Sequence, residues 1–136
     1  MRKPPKELSR WDPLIATLPQ GSLWYRSYSL TNSPHYFGRN KNQRWDAPRA
    51  EYGVLYLAED PEGAFMESIG RGVLRTKLVP QPALEARGIA VFSLVREMRV
   101  IDLASTSGLT RVGAEGSISN ALGYSTAPGT TRPGRR

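Results

Sequence analysis

The chain contains no cysteine and only one histidine, His35, among 136 residues. The first absence excludes disulfide scaffolds, thiol nucleophiles and cysteine-ligated zinc. The second leaves a hydrolytic metal centre without support, because such centres normally draw on two or more imidazoles. No nucleophile-elbow motif accompanies His35, so a serine–histidine dyad has no frame, and Ser33-Pro34-His35-Tyr36 reads as loop. Phosphate-binding signatures are missing too. Gly70-Arg71-Gly72-Val73-Leu74-Arg75 begins like a dinucleotide fingerprint but lacks its third glycine and follows a helical segment where a strand is required. There is no Walker-type loop, so ATP or GTP hydrolysis is unsupported. No apolar run reaches the length of a membrane span, and the start is basic and polar. A soluble, cytoplasmic protein is expected.

What is present is a chain long enough for one domain, with a modest 39% hydrophobic fraction and 13 glycines and 11 prolines that favour short elements and many turns. The net charge of +7 suggests nucleic acid at first sight. Its distribution argues otherwise. Residues 1–10 carry Arg2, Lys3, Lys6 and Arg10 against Glu7, and the last ten carry Arg132, Arg135 and Arg136 with no acid. The 116 residues between hold twelve basic and eleven acidic side chains, which is close to balance. The basic character therefore belongs to the two ends, and direct nucleic-acid binding by the body is not expected. A flexible basic arm over 1–10, a folded domain over 11–126 and a disordered basic tail over 127–136 follow from this pattern.

Trp11, Leu14, Ile15 and Leu18, broken by Pro13 and Pro19, predict an irregular turn or one helical turn. Leu23-Trp24-Tyr25-Arg26-Ser27-Tyr28 predicts a strand with Trp24, Arg26 and Tyr28 on one face. Residues 31–49 read as a long loop. The unbroken apolar run from Gly53 to Ala58 predicts a strand buried on both faces. Asp60 is placed to cap a helix with Pro61 at its first position, Phe65 and Ile69 on its inner face, and Gly70 at its end. Pro80 and Pro82 force a break, after which Ile89–Leu94 and Val100–Leu103 are further strand candidates. Beyond Leu103 only Ala121 and Leu122 suggest a short helix or turn. The mixed order of elements predicts an α+β domain.

Glu67 falls nearly opposite Phe65 on a helical wheel, which makes it a solvated side chain on periodicity alone. Gly63, four residues earlier, leaves the same helical face open for a ligand to approach. Arg26, between Trp24 and Tyr28, is either a strand arginine stacked on aromatic neighbours or a phosphate clamp flanked by rings. Tyr56 reads as a core tyrosine with its hydroxyl satisfied. Arg39, Arg44 and Arg49 read as loop charges.

The order of these segments carries more than any one of them. Leu23-Trp24-Tyr25-Arg26, Gln43-Arg44-Trp45-Asp46, Tyr52-Gly53-Val54-Leu55-Tyr56-Leu57-Ala58 and Ala64-Phe65-Met66-Glu67 together resemble the RES-domain family, named for an arginine, a glutamate and a serine. The resemblance runs from Leu23 to Leu103, with a fainter echo at Tyr124-Ser125-Thr126. It implies an ADP-ribosyltransferase-like fold with a small mixed sheet and short helices. It also implies the toxin half of a bacterial toxin–antitoxin module that consumes NAD by nicotinamide–ribose cleavage, as a glycohydrolase, a phosphorylase or an ADP-ribosyltransferase. The implied partner is a helical, DNA-binding, Xre-like antitoxin that covers the pocket. By position, Arg26 matches the family's first arginine and Glu67 its glutamate. Arg44 matches the loop arginine and Tyr56 the strand tyrosine of the NAD pocket. Arg26 and Arg44 would hold the pyrophosphate, Tyr56 the nicotinamide, and Glu67 the cationic sugar that forms as the base departs; no metal is implied.

The family's serine finds no counterpart. Ser117, Ser119 and Ser125 lack its strand context, which implies a domain short of its C-terminal part. A catalytically inactive remnant that at most binds an antitoxin is thus the alternative reading, and a small basic nucleic-acid-binding protein the further one.

Overall fold

Aromatic and β-branched residues bracketed by glycine and proline set the strands, and these pair as two separate two-stranded antiparallel sheets. The computed structural model describes residues 11–41, 43 and 45–114. In chain order the elements are β1 (Ile15–Leu18), β2 (Leu23–Ser29), α1 (Pro61–Phe65), a π-helical turn (Met66–Gly70), α2 (Arg71–Thr76), α3 (Gln81–Glu85), β3 (Arg87–Ser93), β4 (Met98–Ile101) and α4 (Thr106–Arg111). They divide into two units: one takes Gly38–Val54 with the stretches through Leu18 and from Met98, the other takes Pro19–Phe37 and Leu55–Glu97. The class is α+β, as expected; among the described residues the strands form two antiparallel pairs and no mixed sheet.

In the second unit β2 pairs with β3 along its whole length, from Leu23 opposite Ser93 to Ser29 opposite Arg87. Trp24, Arg26 and Tyr28 thus share a face with Phe92, Ala90 and Gly88, as strand alternation predicts. The tight crossing at Gly88 is required by packing, since a Cβ there would meet the Tyr28 ring at 3.0 Å. The loop after β2 folds back over this face, and the His35 ring meets Phe92 edge to face at a centroid distance of 5.0 Å. His35 is therefore a packed loop histidine, in keeping with its sequence context.

The strand expected over Gly53–Ala58 does not form. Val54 bridges Gly38 at one end, Ala58 bridges Tyr25 at the other, and no ladder joins the two bridges. An apolar run with two unrelated partners cannot extend a single register, and Tyr56 and Leu57 are each left 37% exposed instead of buried. The helix start is as expected: Asp60 Oδ1 accepts from the Gly63 amide at 2.5 Å, with Pro61 in the first turn. Its end is not. Gly70 does not stop the helix but sits in the π-helical turn, where its missing Cβ makes room for the Met66 sulfur, and helix resumes as α2. The stop comes at Lys77, in the left-handed conformation with φ 59°. Pro80 and Pro82 impose the expected break and then start α3.

In the first unit β1 pairs with β4, Ile15 opposite Ile101 and Leu18 opposite Met98. The helical or irregular turn expected around Leu14–Leu18 is thus a strand. Its partner lies some eighty residues away and leaves no local signal. The strand candidate at Val100–Leu103 begins earlier and ends at Ile101, because Asp102 turns the chain. Its carboxylate accepts from the amides of Ala104 and Ser105 at 2.8 and 2.9 Å and from the Ser105 hydroxyl at 2.5 Å. Ser105 then caps α4 by accepting from the Gly108 amide at 3.0 Å. Gly108 lies so close to the Asp102 carbonyl that no Cβ fits between them. Among the described residues the buried apolar side chains are few, namely Ala47, Ala64 and Leu109. The possible helix at Ala121 and Leu122, the basic arm and the basic tail lie outside the described residues.

Candidate functional site

Arg26 is the best-defined polar feature of the second unit. Its Nη1 donates to the carbonyls of Pro34 at 2.6 Å and Tyr36 at 2.7 Å, which fastens the loop across the Trp24–Arg26–Tyr28 face. Among the described residues Nε and Nη2 make no hydrogen bond. Those two nitrogens form the side-on fork of a guanidinium, whose paired N–H groups match two oxygens of a phosphate or carboxylate. Burial lowers the Arg26 pKa from its ordinary value, and the neighbouring charge of Arg87 lowers it further. The group remains a cation at neutral pH, but one held in an unfavourable potential that a bound anion would relieve. The aromatic-stacking reading gives way to a clamp on backbone carbonyls.

Glu67 lies in the π-helical turn and is exposed, as its place on the helical wheel predicts. This turn and α1 both pack on β2. Ala58, bridged to Tyr25, shares the Tyr25 side of that strand. A Cβ on Gly63 would meet the Ala58 Cβ at 3.4 Å and Asp60 Oδ1 at 3.1 Å. Ala58 and the capping carboxylate therefore border Gly63 closely, which narrows the open helical face expected there. The same contacts put α1 on the Tyr25–Ser27 face of β2, whereas the Arg26 side chain belongs to the opposite face. Tyr56 is two residues before the Ala58 bridge and is partly exposed, not the core tyrosine expected of a buried strand. Both Tyr56 and Glu67 have interaction partners in the fold.

Arg44 lies outside the described residues, as do Ser117, Ser119, Tyr124 and Ser125. Its neighbours Trp45 and Asp46 are in the first unit. Asp46 is 4% exposed and its carboxylate accepts from the Gln43 amide at 3.1 Å, so it ties off the loop turn. The Tyr52 hydroxyl donates to the Trp45 carbonyl at 3.2 Å. Arg39 Nη1 reaches the Ala50 carbonyl at 3.5 Å.

Two further residues bear on the site. Arg87, at the start of β3, adds a second positive charge felt by Arg26; the sequence gives no reason to pair them, since the register that brings them near is non-local. Ser27 Oγ, on the α1 face, is enclosed and has no hydrogen-bond partner among the described residues. Strand alternation could have placed it there, but not its enclosure. Among the described residues no group of three or more His, Asp or Glu side chains is placed to hold a metal, and no helix is long and apolar enough to cross a membrane.

No curated protein and no solved structure matches the chain significantly. The model of one family, the RES domain, matches residues 22–131. That span takes in β2 with Arg26, the Asp60-capped helix with Glu67, and both strands that complete the sheets. The chain belongs to the RES-domain family.

Proposed function

We propose that this RES-domain chain is the toxin component of a toxin–antitoxin module and acts by cleaving the nicotinamide–ribose bond of NAD, on an ADP-ribosyltransferase-like framework. Membership of the family associates it with toxin–antitoxin partnering and NAD. The observation that carries the reading to particular atoms is the divided guanidinium of Arg26: Nη1 secures the loop, and the Nε–Nη2 fork is left to meet an anion. A dinucleotide pyrophosphate offers paired anionic oxygens to that fork. Arg44 is proposed as the second phosphate contact and Tyr56 as the surface against which nicotinamide rests.

In the reaction the bond between the ribose C1′ and the nicotinamide nitrogen breaks, and its electron pair leaves with the neutral base. The positive charge passes to the sugar as an oxocarbenium-like centre. A carboxylate close to that centre, the role proposed for Glu67, stabilises the charge and holds a ribose hydroxyl. An oxygen from water, phosphate or a protein side chain then bonds to C1′ and loses its proton. No step calls for a metal. The setting proposed is cytoplasmic, with a helical Xre-like antitoxin covering the site.

One observation favours a second reading, an inactive domain that retains only antitoxin binding. Ala58, against which α1 packs, shares the Tyr25 side of β2, whereas Arg26 alternates to the other side of that strand. Free nicotinamide released from NAD by the folded protein separates the two. Release abolished in Glu67→Gln supports the enzyme. No release by a sample whose unfolding is cooperative supports the inactive domain.

A further inference from the structure

Away from Arg26, the second unit contains a cleft of about 530 Å³ walled by Ile69, Leu78, Val79, Pro80 and Ala83. The volume is that of a small-molecule site, within the usual range of roughly 300–1,000 Å³. It exists because Lys77 turns the chain out of α2 in the left-handed conformation, and Leu78-Val79-Pro80 then run back towards α3 as a wall. Leu78 is left 76% exposed there, a high figure for a leucine flanked by two elements.

The polar groups of the cleft decide what it takes. Thr76 Oγ1 lies 3.0 Å from the carbonyls of both Gly72 and Leu78, so its proton is already engaged. Ser68 Oγ likewise donates to its own helix, towards Phe65 O at 3.0 Å and Ala64 O at 3.2 Å. Neither hydroxyl has a proton to offer a ligand. The remaining polar lining group is Arg87, and among the described residues it has no carboxylate partner. Its charge raises the local positive potential enough to be felt at Arg26. An apolar cleft with one exposed guanidinium at its edge favours an apolar body with a single anionic end: a neutral polar molecule gains hydrogen bonds from Arg87 but no charge pairing, and a polyanion would bring unmatched charge against the apolar walls.

We infer that the cleft between α2 and α3 binds an organic monoanion with an apolar body, such as an aromatic or short-chain aliphatic carboxylate, with Arg87 holding its charged end. This site does not depend on the NAD reading, and its ligand need not touch Arg26. Gly72 supplies the means to test it. Gly72 lines the cleft, and a Cβ added there would meet nothing within 4 Å, so a larger side chain can be added at this wall without a clash.

The full-length protein, labelled with nitrogen-15, is titrated with 1-naphthoate and separately with neutral 1-naphthamide. The expected result is chemical-shift change centred on the amides of Gly72, Leu78 and Ala83, with naphthoate binding about tenfold more tightly than the amide. Arg87→Gln removes that preference, and Gly72→Leu abolishes binding of both compounds. Equal affinity for the two compounds in the unsubstituted protein overturns the inference without any variant having to fold. So do shifts centred elsewhere, or naphthoate binding that survives Gly72→Leu.

Discussion

Replacing Arg26 by alanine tests how the second unit is held together. The side chain makes two charge-assisted bonds from Nη1, to Pro34 O at 2.6 Å and Tyr36 O at 2.7 Å, and so fixes the loop that carries His35 onto Phe92. Hydrogen bonds to a charged group contribute about 1.5–3 kcal/mol each when buried. Both carbonyls regain water once the loop is released, and Arg26 is only half-buried, so the low end applies. Relief of the repulsion from Arg87 offsets a little more. The expected loss is about 2 kcal/mol, which in a chain of this size lowers Tm by roughly 5–10 °C. Urea denaturation followed by tryptophan fluorescence gives the first figure, and a thermal scan gives the second. Hydrogen exchange supplies the local signature: the Tyr36 amide, bonded to Ser33 O at 3.0 Å, should lose protection well before the β2–β3 ladder does. Arg26→Lys should fall between, because an ammonium keeps the charge but its stem is shorter and does not place a donor where Nη1 meets both carbonyls. An Arg26→Ala protein within about 0.5 kcal/mol of the parent, with the Tyr36 amide still protected, refutes the clamp.

Gly108→Ala should destabilise by about 3 kcal/mol or more, since the added methyl meets the Asp102 carbonyl, whereas Gly72→Ala, in open helix, should stabilise by about 0.5–1 kcal/mol; paired urea titrations check both. Asp60→Ala removes the acceptor for the Gly63 amide and should cost about 1 kcal/mol, read the same way. The Asp102 carboxyl is held below its ordinary pKa by the Ser105 hydroxyl first and by the amides of Ser105 and Ala104 next. A carboxylate with a depressed folded-state pKa contributes stability above its unfolded value of about 3.9 and loses it as pH falls through the folded value. Carbon-13 titration of the carboxyl should show Ser105→Ala moving the midpoint upward, and an unmoved midpoint contradicts that cause.

Local chemistry was legible in the sequence where the partner was local or the alternation long. The Asp60 cap with Pro61, the Trp24–Arg26–Tyr28 face and the β3 strand all belong to that class. What could not be read was set by distant partners. Nothing near Ile15–Leu18 announces β4, and the apolar run at Val54–Ala58 cannot reveal that its two ends bridge Gly38 and Tyr25 separately. Gly70 looks like a helix stop until Met66 is seen filling the place of its Cβ. Of the four residues proposed for the site, Arg26 stands on the strand face that alternation predicts, but the loop carbonyls its Nη1 holds depend on a backbone turn ten residues away. Gly63 shows why a missing side chain is ambiguous in a sequence: Ala58 and Asp60 approach it closely, and glycine signals close approach as readily as open space. α4 was missed although Ser105 and Gly108 stand at capping distance, because a six-residue helix has too few turns to show a period.

The claim on which the rest turns is that the arginine at position 26 serves the loop with one nitrogen and the dinucleotide with the other two. The side-chain Nε–H resonance of Arg26 in a nitrogen-15 spectrum reports on it directly during titration with NAD. The account expects that signal to shift and sharpen at saturation, equally with ADP-ribose, and to leave the Tyr36 amide in place. An Nε–H signal indifferent to NAD, while resonances elsewhere in the protein respond, contradicts it.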